Sequence, residues 1–228
     1  MSNKTWDTKY CYPNTSVLVN KLNINDCRLW IDIEREITYQ RNNELDTEPI
    51  KGSFDATHLK AIHKYLFQDM YIWAGKFRVV DIAKSDLFCR VQFIDDNLNK
   101  IFDELKNDDY LINTTVEEFP SKLAYYFSEI NVVHPFREGN GRSQRAFARL
   151  LAKVCGYFLD LSKVTEEEMN DASIHSYQTL DVSKFTEMFS KSLTPIPTEE
   201  QLLFSKRVLP SNNKALKQLI EIKTNAKY

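Results

Sequence analysis

Apolar residues recur at helical spacing along most of this chain. After Asp55, the residues Leu59, Ile62, Leu66, Phe67 and Met70 fall on one face, and Ile94, Leu98, Ile101, Phe102 and Leu105 repeat the pattern. Both segments are predicted amphipathic helices. A third helix carries Leu123, Ala124, Phe127 and Ile130; Thr115 with Glu118 could cap it, although Pro120 moves its start nearer Phe119. Phe147, Leu150, Leu151 and Val154 form the next stripe, with Gly156 as its terminator. Thr165 and Glu168 mark a capping box ahead of Met169, Ala172 and Leu180, and Ser183 is a cap for the segment holding Phe185, Met188 and Phe189. One stretch breaks the helical period. Phe77, Val79 and Val80 precede a polar bend over residues 83–86, and Leu87, Phe88 and Val91 follow, which reads as a short β-hairpin. Such a hairpin is marginal alone and must lean on the helical body. The expected fold is therefore mainly α: a helical bundle with one short β-hairpin.

The segment TPIPTEE over residues 194–200 holds two prolines and ends the regular pattern. The expected organisation is an N-terminal extension over 1–53 packed on the core, a core over 54–195, and a C-terminal helical tail over 196–228. From residue 201 onward six basic residues stand against Glu221, which makes the tail +5 and, from a net charge of -2, leaves -7 for residues 1–200. Leu216, Leu219 and Ile220 offer a docking face that keeps those lysines in water, so the asymmetry requires no anionic partner. With 228 residues, 43% of them hydrophobic, the chain can bury one sizeable core. The small net charge carries no electrostatic footprint of nucleic-acid binding. Cys11, Cys27, Cys89 and Cys155 are widely spaced, without CxxC, and His58, His63 and His175 have no metal-ligand spacing with them. Free thiols, a cytoplasmic setting and no membrane span are expected, since no apolar run approaches ~18 residues and the first ten lack a signal peptide's apolar core.

The candidate chemistry lies in HPFREGNGRSQR, residues 134–145. Gly139, Asn140 and Gly141 stand where an irregular segment meets a helical pattern, and glycines permit the backbone turns that aim successive N–H groups at an anion. A helix N-terminus disfavours cations, yet Arg142 and Arg145 occupy it with no acidic residue between Gly139 and Leu159. An external polyanion resolves that conflict. Spaced i,i+3, the two arginines share a face and can reach separate phosphates. His134, with an ordinary pKa of about 6.5, is the candidate general base. Pro135 biases it toward an extended backbone, and Phe136 anchors the loop. Glu138 can supply the single carboxylate that magnesium takes beside substrate phosphates. Arg137 and Arg149 read as solvated surface.

These residues resemble the signature of the Fic family: His, any residue, Phe, any residue, Asp or Glu, Gly-Asn-Gly-Arg, two residues, Arg. Every fixed position is met. YCYPNTSVLVNKLNI near the start, FDATHLKAIHKYLFQDMYIWAGKFR over 54–78 and KSDLFC over 84–89 are also similar to Fic segments, so the resemblance covers most of residues 10–195. It implies a bacterial, cytoplasmic or cell-delivered enzyme that transfers AMP from ATP to a hydroxyl of a target protein. By position, His134 is then the catalytic base and Glu138 the Mg2+ ligand, while Gly139, Asn140, Gly141, Arg142, Ser143, Gln144 and Arg145 bind the nucleotide. The 77–91 hairpin becomes the flap that registers the target protein, placing Lys84, Ser85, Asp86 and Leu87 at the active site; an ordinary surface turn is the competing account. Phosphate-transferring Doc-type toxins usually carry lysine where Gly141 stands, which argues against their chemistry here.

Many Fic proteins are restrained by a helix bearing Ser or Thr, three residues, Glu, then Gly or Asn. Glu138 is the only Glu followed by Gly or Asn in this chain, so the resemblance points to a separate antitoxin-like inhibitor. Transfer of UMP, phosphocholine or phosphate, and a nucleotide-binding protein-interaction module, remain the alternatives to AMP transfer.

Overall fold

Side-chain caps open two helices, one that the apolar pattern does not predict and the expected one after Asp55. Asp26 accepts the Leu29 N–H at 2.8 Å and opens α1 (Cys27–Thr47), and Asp55 accepts the His58 N–H at 2.7 Å and opens α2 (Ala56–Phe67). Each cap satisfies a backbone donor that the first helical turn leaves orphaned. The computed structural model describes residue 7, residues 9–83 and residues 88–225. In α3 (Ile94–Asn107) all five expected apolar positions are buried. The helix α4 (Phe119–Val133) begins at Phe119 with Pro120 in its first turn, where a missing N–H costs nothing. Thr115 and Glu118 bond each other in the turn just ahead of it. The helix α5 (Asn140–Val154) ends before Gly156, which takes φ 98°.

The capping box of Thr165 and Glu168 opens α6 (Glu166–Thr179). Leu180, expected on its apolar stripe, is instead the left-handed C-cap and is 84% exposed. Cap residues leave the helical path, so periodicity ceases to predict their face. In α7 (Ser183–Ser192), Ser183, expected as the cap, is the first helical residue; Val182 stands at the cap position without a side-chain bond, and Asp181 accepts the Ser183 N–H at 2.8 Å. The tail forms α8 (Thr198–Val208) and α9 (Lys214–Asn225), with Leu216 and Leu219 buried while Ile220 stays 40% exposed.

α4 lies at the centre, packed by α3, α5, α6 and α7, while α1 and α2 cover α5. A small antiparallel sheet closes one side: β1 (Tyr157–Leu159) pairs with β2 (Leu193–Pro195), Phe158 opposite Thr194. The prolines of 194–200 therefore partly join a strand. The bend of the hairpin expected over 77–91 falls on residues 84–87, outside the described residues; Ala83 before it makes a β-bridge, and residues 91–93 make a turn of 3-10 helix. Arg78 ties the two arms together. Its buried guanidinium donates to the carbonyls of Val80 and Cys89, one from each arm, and one backbone bond runs from Phe88 N–H to Ile82 O at 3.2 Å. The four cysteines are free, and among the described residues no helix is long and apolar enough to cross a membrane.

Candidate active site

The signature forms the link between α4 and α5. His134 caps α4 with its N–H on Ile130 O and φ 49°, ψ 59°. This corrects the extended backbone expected ahead of Pro135. Proline excludes the right-handed helix, and the chain leaves α4 through the left-handed region because Arg78 Nε holds the His134 carbonyl at 2.9 Å. Arg78 also donates to Val133 O at 3.3 Å. One buried cation thus binds both flap arms to the backbone of the candidate base. The imidazole stacks on Phe88 at 3.9 Å between ring centroids.

Phe136 is the expected anchor, 1% exposed and stacked 3.8 Å from His63. His63 in turn bonds the Glu138 carbonyl at 3.0 Å through Nε2 and the Gly75 N–H at 2.8 Å through Nδ1. Burial pulls its pKa down to about 3, so it stays neutral and structural. Gly139 takes φ 80°, and a Cβ there would lie 2.1 Å from Phe67 Cζ, so only glycine fits this turn.

Several signature residues serve the loop itself. Asn140 is buried, with its side-chain oxygen accepting the Phe136 N–H and its amide donating to Phe136 O, both at 2.8 Å. Its side chain thereby holds the loop, and the residue also borders the smaller cavity described below. Ser143, expected at the nucleotide, is fully buried with its hydroxyl unpartnered and borders neither cavity described below. Gln144 donates to Phe127 O and ties α5 to α4. Arg137 and Arg149, expected in solvent, are paired: Arg137 Nε meets Asp7 at 2.7 Å, and Arg149 Nη2 meets Asn42 Oδ1 at 3.0 Å and Asp46 at 3.2 Å. Lys84, Ser85, Asp86 and Leu87 lie outside the described residues.

The remaining residues open on two adjoining cavities. The smaller, of about 550 Å³, is bounded by His134, Phe88, Gly141, Arg145 and the α6 residues Asn170, Ser173, Ile174 and Tyr177. The larger, of about 930 Å³, runs between α1, β1 and the start of α6 and shares Glu138, Gly141 and Arg145 with the first. Arg145 makes no hydrogen bond or ion pair with a described residue, and its Nη1 lies 3.0 Å from the position of a Cβ on Gly141. Burial, then Arg142 and Arg149, depress its pKa, so an anion is favoured there. Arg142 has partners that the sequence did not reveal: Glu34 at 2.5 Å and Thr38 at 3.1 Å, both on α1, and Glu138 at 3.2 Å. Glu138 also accepts the Gly139 N–H at 2.8 Å, yet its side chain is 44% exposed toward the cavities. Among the described residues no group of three or more His, Cys, Asp or Glu could hold a metal. A protein ligand set of this one hard carboxylate fits magnesium, which fills its shell with water and phosphate oxygens.

Known proteins resemble this chain in sequence and in fold. Residues 53–152 match the model of the Fic/DOC family. The chain is 41% identical over 169 residues to protein adenylyltransferase VbhT of Bartonella schoenbuchensis, covering 74% of this chain but only 35% of that protein. It is 38% identical to the protein named "Probable protein adenylyltransferase y4lH" of Sinorhizobium fredii, covering 73% of this chain and 86% of that one. Among solved structures, the BepC protein of Bartonella tribocorum, a VirB-translocated effector with bound AMPPNP, superposes with a TM-score of 0.79 at 25% identity over 82% of this chain and 97% of its own.

Proposed function

Because this chain belongs to the Fic/DOC family, we propose that it transfers AMP from ATP to a hydroxyl side chain of a target protein, releasing pyrophosphate. The observation that carries this reading is the Arg145 guanidinium over Gly141, without a hydrogen bond or ion pair to a described residue and on the same cavity that His134 lines. The triphosphate lies on the N-terminus of α5, with Arg142 and Arg145 neutralising it. The base and ribose extend into the smaller cavity toward Ile174 and Tyr177. Magnesium held by Glu138 supplies charge neutralisation of the phosphates when bound. The target hydroxyl arrives beside Phe88, where the flap arms end, and His134 takes its proton as its oxygen attacks the alpha phosphorus in line. The O–P bond to the target forms as the bond to pyrophosphate breaks, and the step is driven by positioning and charge stabilisation.

The larger cavity suits a separate inhibitory chain. Its walls include Trp30, Ile31 and Phe158, and its floor is Arg145, which a carboxylate from that chain would reach. Such a partner fits a toxin or effector acting in a cytoplasm. The experiment for the activity is incubation of the protein with magnesium and alpha-labelled ATP in lysate. A labelled protein band that disappears with His134→Ala is expected. A band that persists in the mutant removes His134 from its role, and activity released by trimming the protein's own ends rejects the separate inhibitor.

A further inference from the structure

Arg142 is shared by two carboxylates of unequal freedom. A single nitrogen, Nη2, donates to Glu34 at 2.5 Å and to Glu138 at 3.2 Å. The Glu34 side chain is 12% exposed and that of Glu138 44%. Glu34 is also fixed from behind: the Tyr71 hydroxyl donates to its other oxygen and accepts the Trp30 N–H at 3.0 Å. Burial and the Glu34 charge push the Tyr71 phenol far above its ordinary pKa, so it remains a donor throughout the accessible pH range. Thr38 holds Nη1 at 3.1 Å, and the Phe67 ring lies 4.8 Å beneath the guanidinium. Three groups thus grip the arginine from α1 and α2. From its own loop, among the described residues, Glu138 alone does.

We propose that Glu34 is a positioning residue that retains Arg142 while Glu138 serves the metal, and so sets how strongly magnesium enhances nucleotide binding. The inference rests on the nucleotide and magnesium reading above. Without Glu34, Arg142 and Glu138 are left as an isolated i,i+4 pair, and the arginine competes with the cation for the only carboxylate available. The uncompensated guanidinium also attracts phosphates that carry no metal. The two effects act together: metal-free nucleotide binds more tightly, and magnesium adds less.

The test is calorimetric titration of AMPPNP into the full chain, with magnesium and with EDTA, for wild type and Glu34→Gln. The expected result is that the ratio of the two affinities falls by roughly 3- to 10-fold in the mutant, the size of one pairwise coupling, chiefly through tighter binding in EDTA. A merely structural role weakens binding alike under both conditions and leaves the ratio unchanged, which overturns the proposal. Should Glu34→Gln fail to fold by circular dichroism, Tyr71→Phe, which loosens Glu34 without removing its charge, must move the ratio in the same direction by less; an unchanged ratio there is equally fatal. A wild type that binds AMPPNP equally with and without magnesium rejects the underlying metal reading instead.

Discussion

Gly139→Ala tests whether the turn between α4 and α5 is as constrained as its geometry indicates. The substitution meets two separate penalties. A residue with a Cβ at φ 80° pays about 1–2 kcal/mol for the left-handed conformation. The new methyl would also stand 2.1 Å from Phe67 Cζ and 2.3 Å from Cε2, whereas carbon atoms pack at about 3.5–4.0 Å. The ring must therefore retreat by more than an ångström, and it has little room: Phe67 is fully buried, stacked on His63 at 4.7 Å and facing Tyr71 at 6.2 Å. Overpacking of this kind costs about 1–3 kcal/mol. Together the penalties predict a loss of roughly 2–5 kcal/mol in urea unfolding followed by circular dichroism. The steric share is separable. Phe67→Leu shortens the side chain at the point of collision, so the double mutant Gly139→Ala, Phe67→Leu should be less destabilised than the sum of the single mutants by about 1–3 kcal/mol. A Gly139→Ala protein within about 0.5 kcal/mol of wild type, or strict additivity in the double mutant, refutes the argument.

Two further outcomes follow from buried polar groups. His58 and His63 have pKa values drawn down by burial to about 4 and about 3. The unfolded chain then binds protons that the native state refuses, so their stabilising contribution is complete above about pH 6.5 and is lost as pH falls through that value toward 3. The urea midpoint should drop steeply over this window, and His58→Asn should flatten the profile relative to its own value at pH 7; an unaltered slope contradicts the assignment. Ser143 has a buried hydroxyl with no partner among the described residues, so Ser143→Ala should be neutral or stabilising by up to about 1 kcal/mol and should leave AMPPNP affinity unchanged. A severalfold loss of affinity would restore the nucleotide contact that the sequence suggested.

The helices were readable in the sequence because burying a stripe of leucine and phenylalanine dominates the energetics of a surface helix, and α2, α3 and α5 keep that stripe unbroken. The arms of the hairpin over 77–91 were legible from composition, but what joins them was not. Val79, Val80 and Phe88 have strand-like composition, and the side chain of Arg78 ties the arms together by donating to a carbonyl of each. A lone arginine after Phe77 carries no local mark that it will be buried. Glu34 was hidden likewise. It lies one helical turn from Trp30 and one from Thr38, a stripe that resembles a solvated face until Arg142 is brought against it from 108 residues away.

Within the signature, the division between ligand-facing and loop-building residues follows from the helix that contains most of it. In α5, Asn140, Ser143, Gln144 and Phe147 are spaced i, i+3, i+4, i+7 and all are buried. Arg142, Arg145 and Arg149, at i, i+3 and i+7, lie on the face that borders the larger cavity. The family resemblance treats 139–145 as one nucleotide-binding block, but along a helix consecutive side chains point in different directions even where the first backbone N–H groups converge on one anion. Periodicity, already legible in the chain, turns Ser143 into the packing and the two signature arginines toward the cavities, while Gln144, tied to Phe127 O, still borders the smaller one. The buried half then has a function of its own: by anchoring Phe136 through Asn140, it holds the N-terminus of α5 and the end of α4 at a fixed separation, and with them the guanidinium of Arg145 and the imidazole of His134.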